Sequence, residues 1–352
     1  IDDVRGAVFL PDGRVASVGA DHQLKVWHTG DALDRTAACH ETETLRKRTM
    51  RLRGPGWSNP SSLTAAHRTP LAATAEFTVQ QQPPRPPGSD EPPPQPKYDG
   101  VVRLWNTESA ALRGTINVPG VLLNDVALTA DVSHLAVAGA DGVVKIFKLD
   151  GAEEVAQCRG HQGPAKGPQY RGTGVTSVAF HLDGQSLASA GQDGTIRVWN
   201  LAGQEQFQLT PAAGVTRLAF HPDGTMLAAG FADRTVRLWS LADRKEIRTL
   251  KRHYGAITNL KFNADGSRLA VTSTRYDYER QRWTGDLKVW DVASGRRIVS
   301  TPAHTWHDAH LAFHPTLPHI AIGSGIEHTV QVRHADTGRL VLSIPTSGYE
   351  VG

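Results

Sequence analysis

Short runs of five or six residues in which aliphatic and polar positions alternate recur along this chain, and Asp-Gly pairs interrupt them. Val175–Phe180 alternates and meets Leu182-Asp183-Gly184; Leu187–Gly191 follows, then Asp193-Gly194, then Thr195–Trp199. A period of two over so few residues predicts strands rather than helices. The Asp-Gly pairs predict tight antiparallel turns, because glycine adopts positive φ at little steric cost. A further strand fits before the next unit, as in Glu246–Leu250 and Arg339–Ile344. Pro11-Asp12-Gly13, Pro222-Asp223-Gly224 and Ala264-Asp265-Gly266 repeat the first turn.

The whole unit repeats. A basic residue, an aliphatic one and an aromatic one end a strand at Lys25-Val26-Trp27, Arg103-Leu104-Trp105, Lys145-Ile146-Phe147, Arg197-Val198-Trp199, Arg237-Leu238-Trp239 and Lys288-Val289-Trp290. Gln331-Val332-Arg333 is a degenerate seventh copy. Successive copies lie about 40 to 50 residues apart, except that Trp27 and Trp105 are separated by one period plus an insertion. Seven units of four short strands are expected, near 4–52, 61–118, 121–158, 174–209, 214–251, 255–301 and 308–346, in a single domain spanning 1–352.

The run Val175–Trp199, with Gly160-His161 ahead of it, resembles the WD-repeat β-propeller family, and the resemblance extends over nearly the whole chain. It implies an all-β, seven-bladed propeller of four-stranded antiparallel blades around a channel. It also implies a structural His, Ser/Thr, Asp, Trp set wherever the residues match. Blade 4 has His161, Ser189, Asp193 and Trp199, and blade 1 has Ser17, Asp21 and Trp27. Blade 2 keeps Trp105, blade 3 keeps Asp141, and blade 6 keeps Trp290. Blade 5 keeps Asp233 and Trp239 but has Ala229 in place of the hydroxyl. With the first strand innermost and the last outermost, contact between blades 1 and 7 is expected to be side-chain packing alone.

Seven units of about 42 residues leave about 58 of the 352 unaccounted for. These fall at Arg53–Pro60, Gln80–Tyr98, His161–Gly172, Thr274–Gly285 and Ala303–Asp308. In a propeller all five connections open on one face. The spare aromatics sit there too: Trp57, Trp283, Trp306, Tyr98, Tyr170, Tyr254, Tyr276 and Tyr278, with Arg275, Arg280 and Arg282 interleaved. Trp, Tyr and Arg dominate binding hot spots, and loops on a rigid scaffold carry binding. These eleven residues are the candidate partner-binding set. The arginines suit an acidic protein or peptide.

Composition narrows the options. The net charge of +3 and a single Arg-rich loop argue against a nucleic-acid footprint. The two cysteines, Cys39 and Cys158, cannot form a disulfide framework or a four-thiolate metal site. No phosphate-binding loop, G-x-S-x-G or H-E-x-x-H pattern occurs, so no catalytic residue, no cofactor and no enzyme activity are expected. His304, His307 and His310 form a weak metal candidate and support a ligand-binding alternative. A regulatory or sensor module of a larger protein is the other alternative. Pro83–Pro96 reads as an extended, surface-exposed insertion within 80–97. Arg46, Lys47 and Arg48 fall on an outermost strand, where charge discourages edge pairing. Arg5, Ser62, Asn124, Thr176, Thr216, Thr258 and Ala309 are expected at the channel mouth. They are mostly small and neutral, which directs attention to the outer loops. The absence of a leader pattern and of a long apolar run favours a cytoplasmic, monomeric propeller, with no membrane partner. The initial Ile1 suggests a trimmed N-terminus or a longer parent chain.

Overall fold

The computed structural model describes residues 4–19, 23–29, 47–51, 58–66, 69–80, 97–109, 111–163, 173–211, 213–303, 310–324 and 329–345. All regular structure among them is strand, arranged as seven four-stranded antiparallel meanders. Blade 1 contains β1 (Val4–Phe9), β2 (Val15–Gly19), β3 (Gln23–Trp27) and β4 (Lys47–Arg51). Blade 2 contains β5 (Ser58–Ala65), β6 (Leu71–Val79), β7 (Tyr98–Asn106) and β8 (Leu112–Val118). Blade 3 contains β9 (Leu123–Leu128), β10 (His134–Gly139), β11 (Val143–Lys148) and β12 (Glu153–Arg159). Blade 4 contains β13 (Val175–Phe180), β14 (Ser186–Gly191), β15 (Ile196–Asn200) and β16 (Glu205–Leu209). Blade 5 contains β17 (Val215–Phe220), β18 (Met226–Phe231), β19 (Val236–Ser240) and β20 (Lys245–Leu250). Blade 6 contains β21 (Ala256–Phe262), β22 (Arg268–Asp277), β23 (Arg282–Asp291) and β24 (Arg297–Ala303). Blade 7 contains β25 (Leu311–Phe313), β26 (His319–Ser324), β27 (Thr329–His334) and β28 (Leu340–Pro345). The predicted seven-bladed architecture is present.

Each blade is buried on both faces, which explains second strands that are nearly continuous hydrophobic runs, such as Leu187–Gly191 and Leu227–Phe231. Side-chain size is graded along the radius. Alanines 16, 73, 136, 188, 228, 270 and 321 occupy the same register position of the seven second strands, where the blades converge. The motif tryptophans lie one strand further out, where the gap between blades is wider. Trp27 packs among Ala7, Val15 and Val332, and Trp199 among Val144, Cys158 and Leu187.

Polar groups lock the wedge. Indole Nε1 donates to a second-strand hydroxyl in three blades: Trp27 to Ser17 at 3.1 Å, Trp105 to Thr74 at 3.1 Å and Trp199 to Ser189 at 2.7 Å. In blade 4, His161 Nε2 lies 2.7 Å from the same Ser189 oxygen, and its Nδ1 lies 3.1 Å from Asp193. Asp193 also accepts from the Gln162 N–H, which ties the incoming connection to the blade.

A second device joins neighbouring blades at the opposite face. His181 Nε2 donates to the Gly224 carbonyl and packs edge-on against Phe220, with ring centroids 5.1 Å apart. His221 repeats this with Gly266 and Phe262, at 5.0 Å. His314 of blade 7 packs on Phe9 of blade 1 at 4.8 Å. The two end blades stay separate sheets, and one core cluster joins Ala7, Phe9, Val15 and Trp27 to Ala321, Val330, Val332 and Ile344. Among the described residues, blades 7 and 1 meet through side-chain packing.

The expected channel mouth needs correction. Six inner strands carry a β-bulge, and Asn124, Thr176, Thr216 and Thr258 are bulge residues. Their side chains make hydrogen bonds, while Thr176 and Thr216 also line a cleft at this rim. Asn124 Nδ2 donates to Val175 O at 2.7 Å, and Thr176 Oγ1 to Val215 O at 2.7 Å, so each stitches its blade to the next. In blade 2 the extra residue is Ser61, so Ser62 belongs one level deeper. Arg5 occupies the bulge of blade 1, and Ala309 lies outside the described residues.

Blades 5 and 6 lack the hydroxyl, and the buried Trp239 and Trp290 Nε1 atoms have no hydrogen-bond partner. An unsatisfied buried donor costs about 1–3 kcal/mol. Replacing Ala229, which occupies the position of Ser189, with Ser should therefore raise stability by about 1 kcal/mol. Urea denaturation of the Ala229→Ser variant checks this, and an unchanged or lower midpoint would show that the hydroxyl does not reach Trp239.

Candidate partner-binding face

In an antiparallel meander the second-to-third and the last-to-next connections open at the same end. The described parts of the long connections therefore share one face. Thr274–Gly285, expected to be a loop, is a two-stranded ribbon. Thr274 pairs Gly285, Arg275 pairs Thr284, Tyr276 pairs Trp283 and Asp277 pairs Arg282. β22 runs four residues past the point where β14 ends, which extends the ribbon roughly 13 Å beyond an ordinary blade. The length arises because Thr, Tyr and Trp at these positions favour strand, and Asp277 closes the turn by accepting from the Glu279 and Arg280 N–H groups. Chiefly the Arg280 N–H holds the Asp277 carboxyl below its ordinary pKa.

Strand alternation places Tyr276 and Trp283 on one side of the ribbon. Their rings meet edge-on at 5.4 Å, and Tyr278 adds a third ring 5.0 Å from Tyr276. Tyr278 is 78% exposed, the most exposed large hydrophobic side chain among the described residues. The arginines divide into three situations. Arg275 lies over the Tyr254 ring at 4.1 Å, and Arg280 pairs with Asp277 at 3.3 Å. Arg282 is exposed and forms no ion pair among the described residues. Tyr254, from the connection ahead of β21, thus packs on the side of the ribbon opposite the Tyr276–Trp283 pair.

The other candidates are scattered. Tyr98 sits at the far end of β7, half-buried against Phe77, Leu122 and Ala140, where it pins the blade 2 hairpin to blade 3. Trp57, Tyr170, Trp306, His304 and His307 lie outside the described residues. His310 is buried, and its carbonyl accepts from Gly323. Among the described residues no three His, Cys, Asp or Glu side chains are grouped to hold a metal ion. A cleft of about 380 Å³ opens on this face between blades 4 and 5, lined by Thr176, Gln192, Thr216, Arg217 and Ala232.

Residues 154–200, 203–240 and 244–291 match the family model described as WD domain, G-beta repeat. These are blades 4 and 5 with parts of their neighbours, the stretch in which the turn and tryptophan spacing is most regular. WD repeats thus lie within a seven-bladed β-propeller. The chain is similar to the target of rapamycin complex subunit wat1 of Schizosaccharomyces pombe, 28% identical over 104 residues, which is 30% of each chain. It is also similar to subunit LST8 of that complex in Saccharomyces cerevisiae, 30% identical over 30% of this chain and 31% of the relative. A third relative, human apoptotic protease-activating factor 1, is 29% identical over 32% of this chain and 8% of its own length. The chain thus spans less than a third of the length of each of these three relatives.

The WD repeats with lengthened hairpins depart from the motif in a way the sequence spacing did not show. In blade 2 a carboxylate on the strand, Glu76, replaces the turn aspartate. Fully buried, it bonds Thr74 and Arg103. In blade 6, Asp286 bonds Ser273 and Lys288 in the same manner. The signal was available as an acid and a base two residues apart on β23, and as Thr74-Ala-Glu76 on β6.

Blade 6 also buries His253 against Trp290, with ring centroids 5.5 Å apart and neither ring nitrogen hydrogen-bonded. Burial first, then Lys288 and Arg297, push its pKa down from 6.5 to about 3. The unfolded chain therefore takes up a proton near pH 6.5 that the folded chain refuses until about pH 3. This contribution is complete above pH 6.5 and is lost as pH falls through that window, by about 1.4 kcal/mol per unit. The His253→Phe variant should show a correspondingly flatter fall in unfolding free energy between pH 6 and 4. Equal slopes in variant and wild type would place the titration elsewhere.

Proposed function

We propose that this WD-repeat propeller is a non-catalytic scaffold that captures a protein or peptide on the face bearing the blade 6 ribbon. The observation that carries this reading is the ribbon itself: Tyr276, Tyr278 and Trp283 cluster roughly 13 Å beyond the blade end, with Tyr278 almost fully in solvent. A large aromatic held on a rigid strand pair loses little side-chain entropy on binding, which is the usual character of an interface anchor. The exposed Arg282 favours a partner segment that carries carboxylates. Two of the similar proteins are named as subunits of a complex, which agrees with a scaffold role.

The test pairs the Tyr278→Ala, Arg282→Ala double variant with a control on the opposite face, Leu182→Ser, whose side chain is also exposed. Affinity purification from the source cells should retain a defined set of proteins on wild type and control. The double variant should lose them by at least about tenfold, with its melting temperature changed by no more than about 2 °C. Retention of the same set by the double variant would overturn the assignment of the ribbon as anchor.

A further inference from the structure

The rim opposite the ribbon carries a cleft of about 390 Å³ between blades 5 and 6. Met226, Leu238, Val292 and Ala293 line it, and Ile247 stands beside them, 50% exposed. The neighbouring interface shows why this space is open. Val198 pairs Phe207 and Trp199 pairs Glu205 in blade 4, just as Leu238 pairs Arg248 and Trp239 pairs Glu246 in blade 5. Phe207 therefore holds the position of Arg248. It packs with Val198 and Leu241 in the core cluster between blades 4 and 5, and Arg244 covers its ring at 4.7 Å.

Blade 6 repeats the adjoining turn without the covering side chain. Leu241 N donates to Thr225 O and Val292 N to Ser267 O, so Val292 corresponds to Leu241 and Gly295 to Arg244. Both Arg244 and Gly295 have positive φ. The stem of Arg248 lies over Gly295, where an added Cβ would come within 2.7 Å of its Cδ. Its Nη1 then donates to Val292 O at 2.7 Å and Ala293 O at 2.9 Å. The cleft thus lies against Leu238 and Val292, the counterparts of the residues that pack on Phe207. A wedge that is filled by an aromatic ring at one interface is left hollow at the next.

The charge beside the hollow is also uncompensated. Arg248 makes no ion pair among the described residues, and its Nε and Nη2 donate to nothing there. Glu246 on the same strand lies 4.0 Å from Arg237, while Lys245 is exposed and has no ion pair among the described residues. Asp265, the carboxylate among the lining residues, sits in the turn before β22 and accepts from the Ser267 N–H at 2.7 Å. An apolar hollow with a free guanidinium edge matches an apolar side chain next to a carboxylate.

We propose that this cleft binds an extended peptide segment of a partner protein, which inserts a phenylalanine-sized apolar side chain and sets a neighbouring carboxylate on Arg248. The inserted ring takes the place that Phe207 occupies one interface earlier. Ile247 adds exposed apolar surface at the entrance. The cleft and the ribbon lie on opposite rims, so this binding does not depend on the ribbon.

The probe is a fluorescein-labelled peptide, Gly-Ser-Phe-Asp-Ser-Gly, titrated with the protein and read by fluorescence anisotropy. Wild type should bind it saturably, and replacing its Phe by Ala or its Asp by Lys should weaken binding at least about tenfold. Arg248→Phe supplies the missing ring from within the chain. It should raise the melting temperature by about 2 °C or more and abolish binding. Arg248→Gln, which keeps the hollow, should reduce the preference for Asp over Lys to less than about twofold while the preference for Phe remains. The Tyr278→Ala, Arg282→Ala variant should bind like wild type. No saturable binding by wild type would overturn the proposal, as would equal binding of the Ala peptide or undiminished binding by Arg248→Phe. Loss of binding in the ribbon variant would also overturn it, because the peptide would then sit on the other rim. So would a wild-type dimer that Arg248→Phe converts to a monomer, because a second copy of the chain would then fill the cleft.

Discussion

Every blade of this protein is apolar on both faces and so can persist only between two neighbours. That requirement shapes everything else. Sheets that must each touch two others, with no room for helices, arrange radially, and the gaps between them become wedges. The wedge explains why the same register position is alanine in all seven second strands and why the tryptophans stand further out. It also makes closure obligatory. Here the join between blades 7 and 1 carries no shared strand among the described residues, and it uses the same packing as the other interfaces, with His314 against Phe9 repeating the contact of His181 with Phe220.

A ring built this way is stiff in its walls and permissive at its rims. Insertions at one rim add length without disturbing a wedge, and blades 2 and 6 have taken that course. The added length has an electrostatic consequence inside the blade. Once the second and third strands run on past the usual turn, an aspartate in the turn is too far from the blade interior to accept from it. A carboxylate on the strand takes over: Glu76 with Arg103 in blade 2, and Asp286 with Lys288 in blade 6. Such pairs hold together because removing one partner would strand a buried charge. The ribbon of blade 6 thus stands on an ion pair, while its tip offers three rings and Arg282 to solvent.

The axis tells a related story. Bulges on the inner strands turn Asn124 and Thr176 sideways into bonds with the neighbouring blade. Asp125, one position beyond its bulge, binds hydroxyls from blades 2 and 4 and acts as a cross-brace between three blades.

The strands, their number and their antiparallel order were legible in the sequence, because a period of two recurs seven times and is marked by Asp-Gly turns and by a motif tryptophan in five of the seven units. The rim from which the blade 6 ribbon rises was legible too, since strand parity alone assigns each connection to one rim. Three other features were decided only in three dimensions. The ribbon at Thr274–Gly285 looked like a loop because its strand pairing is with itself and breaks no local rule. The inter-blade bonds of Asn124 and Thr176 were missed because a bulge adds one residue without any change in composition, and so shifts which side chain meets the neighbouring blade. The bonds of Asp125 with Ser62 and Ser177 depend on how separate sheets are brought around one centre, and distance along the chain contains no measure of that.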